Sequence, residues 1–139
     1  MTHNVVAHYL DGTLLKGVCL NVDPKRPMCH VETNERGMVE VRFADLKALF
    51  FVRSFDGDPG RRDENSLDPG DPRLIGARAV ELTFRDGERL VAITPHLPPK
   101  SLFFALPVDT KSNNDRVLVN QAACTSITAI RQGPGPTRE

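Results

Sequence analysis

The chain has no tryptophan and only one tyrosine, and its three cysteines are odd in number and widely spaced, at Cys19, Cys29 and Cys124. That pattern excludes a disulfide framework and fits a reducing compartment. The opening MTHNVVAHYLDG has no basic segment followed by an apolar run, so no signal peptide is expected and a cytoplasmic location is. No stretch approaches the roughly 18 apolar residues of a membrane span, and the longest apolar runs are the five-residue Ala48 to Val52 and Leu102 to Leu106. Membrane insertion is therefore not expected. Charge of one sign is also missing: 18 Lys and Arg balance 18 Asp and Glu. Broad electrostatic capture of nucleic acid needs many Lys and Arg contacts, so this balance argues against it.

Catalytic and metal motifs are absent as well. There is no CxxC or HxxxH spacing. Cys29 and His30 are adjacent, and neighbours on a strand point to opposite faces, so the pair cannot chelate one ion. The expectation is a core Cys29 and a solvent-facing His30. No P-loop, GxGxxG or nucleophile elbow occurs. The carboxylates cluster in turns and in one acidic stretch. The reading is of a non-enzymatic protein with no cofactor, no metal and no catalytic residue.

What the sequence does have is a repeated strand grammar. Residues 80–85, VELTFR, alternate apolar and polar, which marks a half-buried strand. Asp86-Gly87 and a second strand follow, and such a hairpin suggests a type I′ turn with positive φ at both central residues. The same pattern lies 75 residues earlier, with Val5, Ala7 and Tyr9 matching Val80, Leu82 and Phe84, and Asp11-Gly12 matching Asp86-Gly87. Pro24-Lys25 matches Pro99-Lys100 at the same offset. After a three-residue insertion, Val39, Val41, Leu49 and Val52 match Val117, Val119, Ile127 and Ile130. Repetition on this scale predicts two copies of one unit.

The predicted organisation is a first copy over 1–54, a flexible Asp/Gly/Pro-rich linker over 55–73, a second copy over 74–131 and a disordered tail over 132–139. Each copy reads as five short strands forming a bent sheet or small barrel. So small a unit buries little core alone, which predicts that the copies pack on each other.

Two groups of residues stand out as candidate binding elements. Phe50-Phe51 and Phe103-Phe104 each put consecutive aromatics on a strand. Alternation sends one of each pair away from its own core, to be covered by the other copy, another subunit or a binding protein. The longest loop of the second copy adds Lys111, Asn113, Asn114 and Arg116. Lys25, Arg26 and Lys100 form a basic corner repeated in both copies.

The hairpin DGTLLKG, with Leu10-Asp11-Gly12 and Gly17, resembles the opening of the Sm-like group, which includes the RNA chaperone Hfq. Over nearly the whole chain, the sequence resembles a bacterial domain of unknown function that occurs as tandem copies, sometimes near PilZ or response-regulator domains. Leu46 to Val52 and Ser112-Asn113-Asn114 before Arg116-Val117 carry that resemblance. Arg61-Arg62 is similar to the arginine pair with which PilZ domains bind cyclic di-GMP, but no DxSxxG follows.

The expected fold is all-β, two tandem Sm-like or SH3-like five-stranded barrels packed on each other. The expected function is a protein-interaction or adaptor module in bacterial signalling, its partner another protein such as a bacterial regulatory component. Edge strands of small open barrels pair readily, which also allows a homo-oligomer. The alternatives are an Sm-like RNA-binding protein and a sensor of a cyclic dinucleotide or other small ligand.

Overall fold

Two hairpins set the frame. β1 (His3–Tyr9) pairs antiparallel with β2 (Leu14–Cys19), and β6 (Arg78–Phe84) with β7 (Arg89–Thr94). The computed structural model describes residues 2–20, 22–57, 63–97 and 99–130. The turns are not type I′, because positive φ falls only on Gly12 and Gly87, at 92° and 93°. Gly12 N donates to Tyr9 O at 3.0 Å and Tyr9 N to Thr13 O at 2.9 Å; Gly87, Phe84 and Glu88 repeat the pattern. That is a three-residue loop ending in a glycine bulge. Asp11 and Asp86 brace it, each Oδ1 accepting from the backbone N of Thr13 or Glu88 at 2.9 Å.

The remaining strands are β3 (Met28–Thr33), β4 (Gly37–Arg42), β5 (Leu46–Val52), β8 (Leu102–Pro107), β9 (Asn114–Asn120) and β10 (Cys124–Ala129). Single 3₁₀ turns at Phe43–Asp45 and Gln121–Ala123 precede β5 and β10. Register bears out the repeat. Val5 lies opposite Gly17 and Phe51, and Val80 lies opposite Ala92 and Ala129. Cys29 faces Val41 as Phe103 faces Val119, so β3 matches β8 at an offset of 74 and β4 matches β9 at 78. The net three-residue insertion is therefore a β2–β3 connection one residue shorter and a β3–β4 connection four residues longer in the second half.

All ten strands form one antiparallel sheet in the order β10-β6-β7-β8-β9-β5-β1-β2-β3-β4. In place of the expected two tandem barrels packed on each other stands one open sheet. The halves join edge to edge through β5 and β9, and the sheet ends in open edges at β4 and β10. The cause is the sequence of the joint. LKALFFV has no polar face, and six of its seven residues are buried. Such a strand is most stable between two layers of apolar side chains.

β5 and β9 feed both cores. Leu49 and Phe51 enter the first core with Val5, Val31, Val41 and, from the second half, Leu118. Ala48 and Phe50 enter the second with Val80, Leu82, Phe84, Val117 and Val119. A third cluster, Val91, Ile93 and Val108, is covered by Leu67 from the 55–73 connector and by Leu74 just after it. The stretch read as a flexible linker is thus docked over its later described residues. Arg73 donates to Pro107 O and Val108 O at 3.0 Å, and Ser112 Oγ donates to Asp63 at 2.6 Å. At the matching first-half positions Lys16 stands in place of Val91, which leaves Val18 alone against Ile93. Arg61-Arg62 and the tail 132–139 lie outside the described residues.

Gly17 is needed because a Cβ there would lie 2.4 Å from Glu32 O and 2.5 Å from a Val31 methyl. No helix among the described residues is long and apolar enough to cross a membrane.

Candidate interaction surface

The paired phenylalanines bind the halves together. Phe50 and Phe103 lie in the second core, Phe51 lies in the first, and Phe104 packs against the first. They are therefore not an exposed docking patch, and the other half of the same chain supplies the cover that alternation demands. Arg116 lies across two of them, its guanidinium carbon 4.3 Å from the Phe51 ring centre and 4.7 Å from that of Phe104. That cation–π stack caps the joint and occupies the arginine face.

The second-half loop is also committed internally. Asn113 Oδ1 accepts from Ser54 N at 3.1 Å and its Nδ2 donates to Ser54 O at 2.9 Å. Asn114 N donates to Ser112 Oγ at 3.0 Å. Arg53 donates to Thr110 O at 2.9 Å, so the loop is fastened to the end of β5. Lys111 is exposed, as are Lys25, Arg26 and Lys100 on the β2–β3 and β7–β8 connections. Cys29 is buried and His30 is exposed.

A polar cluster that sequence reasoning missed sits at the joint. Lys47 Nζ donates to Asp86 at 2.7 Å and to Glu88, and lies 4.7 Å from the Phe84 ring centre. Its side chain is 7% exposed. Burial alone would push its pKa down, but the two carboxylates outweigh that and hold it above the ordinary value. The hydrogen bond from Lys47, and after it that from the Glu88 backbone N–H, hold Asp86 below its usual range. His8 adjoins the cluster, edge-on to Phe50 at 5.5 Å, and its Nδ1 is buried without a hydrogen-bond partner. Burial, then the Lys47 charge, lowers its pKa. The useful signal was the conflict in Lys-Ala-Leu-Phe-Phe: a lysine opening a strand buried on both faces needs a partner across the joint.

The thiols are poorly placed for chemistry. Burial pushes Cys29 up to about 12, with Cys19 adding to it, and Cys124 up to about 11. No group of three His, Cys, Asp or Glu that could hold a metal occurs among the described residues.

An open groove of about 770 Å³ runs beside β10, lined by Leu97, Pro99, Ala122, Cys124 and Ile127 among others. Another of about 780 Å³ lies over β2, the β2–β3 connection and β3, with Leu20 and Met28 on its wall, and reaches β4 at Met38. Leu20 and Met38, both 64% exposed, and Leu97 are three of the six large apolar side chains left exposed among the described residues. The sequence signal for Met38 was its place on the outward face of GMVEVR, beside Glu40 and Arg42.

Compared with known proteins, residues 1–131 match DUF6982, a family of unknown function. The chain belongs to that family. The match spans both halves, so the joined pair lies within the family's unit. It agrees with the expected domain of unknown function and brings no link to PilZ or Sm-like proteins. No curated protein and no solved structure matches.

Proposed function

We propose that this DUF6982 chain is a non-enzymatic protein-interaction module that binds through the open edges of its sheet. The observation that carries the reading is an unpaired edge strand at each end of the sheet, with an open apolar groove beside β10 and another over β2 and β3 that reaches β4 at Met38. An unpaired strand offers a row of backbone donors and acceptors to an incoming strand, and the neighbouring groove offers pockets for its side chains. The elevated thiols add to the case, since they remove the cysteines as nucleophiles near neutral pH. A role as an adaptor in bacterial regulation extends this reading.

The test is affinity purification from the native cells with wild type and with Met38→Lys and Thr128→Lys, one substitution on each edge. The reading expects a reproducible protein partner, lost with at least one variant. Retention of single-stranded RNA at near-physiological salt, with no protein partner, would overturn it in favour of RNA binding. The exposed Lys25, Arg26 and Lys100, at matching connections of the two halves, support that second reading.

A further inference from the structure

The internal joint has a donor side and an acceptor side, and the molecule leaves one of each unused. β5 is the fifth strand of its half and β9 the fourth strand of the other. The free edges are β10, a fifth strand, and β4, a fourth strand. We propose that the occupant of these edges is a second copy of this chain, joined head to tail, with β10 of one copy pairing β4 of the next in the register of the internal joint. This rests on the edge-binding reading above and names its partner.

The register follows from the internal one. Ala48, Leu49, Phe50 and Phe51 lie opposite Val119, Leu118, Val117 and Arg116. Carried through the repeat, Ser126, Ile127, Thr128 and Ala129 lie opposite Val41, Glu40, Val39 and Met38 of the next copy. The groove beside β10 is the unfilled counterpart of a filled seat. Its wall from Cys124 to Ile127 matches Leu46 to Leu49, on which Asn120, Val119 and Leu118 of the other half already rest. Asn120 donates to Leu46 O at 2.8 Å, and Arg42 holds the corresponding place on β4. Met28, which matches Leu102, keeps an apolar side chain on the incoming face.

The two joints differ in strength. Glu40 stands where Leu118 does, and Ser126 and Thr128 stand where Ala48 and Phe50 do. Thr125 replaces Lys47, so the ion pair with the neighbouring turn is absent. The contact between copies is therefore weaker and depends on concentration. Because it joins two different surfaces, it is heterologous, and each added copy leaves the same two edges free unless a ring closes.

The experiment is sedimentation velocity of the full chain across a dilution series from micromolar to millimolar. Wild type is expected to sediment above its 15.4 kDa monomer as concentration rises. Met38→Lys and Thr128→Lys, both at exposed positions, are each expected to remain monomeric. A mixture of the two restores one intact β10 and one intact β4, so it yields dimers that grow no further. Glu40→Leu is expected to tighten association by about tenfold, as a carboxylate gives way to an apolar side chain. Wild type that stays monomeric throughout, or variants whose mixture forms no dimer, would overturn the proposal. If it falls while the variants still release a protein partner in the purification, the edge-binding reading stands and only the identity of the occupant is wrong.

Discussion

β5 and β10 hold the same place in the two halves, yet six of seven residues of β5 are buried and none of β10 is. The difference lies at particular positions. Residues that serve a half's own core match closely: Val39 and Val41 with Val117 and Val119, and Leu49 with Ile127. Residues that face the neighbouring half do not. Leu118 has Glu40 as its counterpart, and Phe50 has Thr128. One strand frame therefore serves as a closed joint or an open edge according to the side chains that face outward.

The largest break in this comparison is at the joint's centre. Leu118→Ala and Leu49→Ala should each cost roughly 2–5 kcal/mol by chemical denaturation. Glu40→Ala and Thr128→Ala, on the open edges, should stay within about 0.5 kcal/mol. Equal losses at the two sets of positions would remove the distinction.

The ion pair comes next. Asp86→Asn with Glu88→Gln leaves Lys47 inside the joint without a compensating charge, which should cost on the order of 3 kcal/mol. Lys47→Met keeps the packing over Phe84 and frees two carboxylates that already reach solvent, so it should cost under about 1.5 kcal/mol. A lysine variant worse than the double carboxylate variant would show that the charge itself holds the halves together.

Gly17 sharpens the comparison between the halves. Gly17→Ala drives a Cβ into Glu32 O and should cost about 1–3 kcal/mol. Its counterpart Ala92 already carries a Cβ, and Ala92→Gly should cost about 1 kcal/mol or less through backbone entropy. Thermal unfolding of the two variants checks the order.

The smallest effect is a pH slope. His8 has its pKa below the ordinary 6.5 in the folded chain. The unfolded chain therefore binds more protons between that lowered value and 6.5, and stability falls as pH drops through this window. Above 6.5 His8 contributes no slope. Denaturation midpoints measured down from neutral pH should fall more steeply for wild type than for His8→Gln; parallel curves would contradict the assignment.

Much of the fold was legible because inward alternation is a local signal. Val80, Leu82 and Phe84 beside Asp86-Gly87 marked a hairpin, and its echo at Val5, Ala7 and Tyr9 marked the repeat. The turn type was misread because Asp-Gly suits both a two-residue loop and a bulged loop, and the choice depends on where the strands place Tyr9 and Thr13. The joint was half legible. Phe50-Phe51 demanded cover on both faces, but whether face packing or edge pairing supplied it depended on Leu118 and Val119, far along the chain. Lys47 was not singled out, since its carboxylates belong to the other half's turn. The docked connector was hidden in a stretch whose composition reads as solvated, with Leu67 inside it and Leu74 just after it to seat it.

Residue-resolved hydrogen exchange tests the central contrast most directly. In dilute solution, amides of β5 and β9 should exchange only through global unfolding, while the outward amides of β4 and β10 exchange near the rate of exposed chain. As concentration rises, those edge amides should gain protection while β5 and β9 stay unchanged. Early exchange at β5 and β9, as though the halves opened independently, would contradict the account.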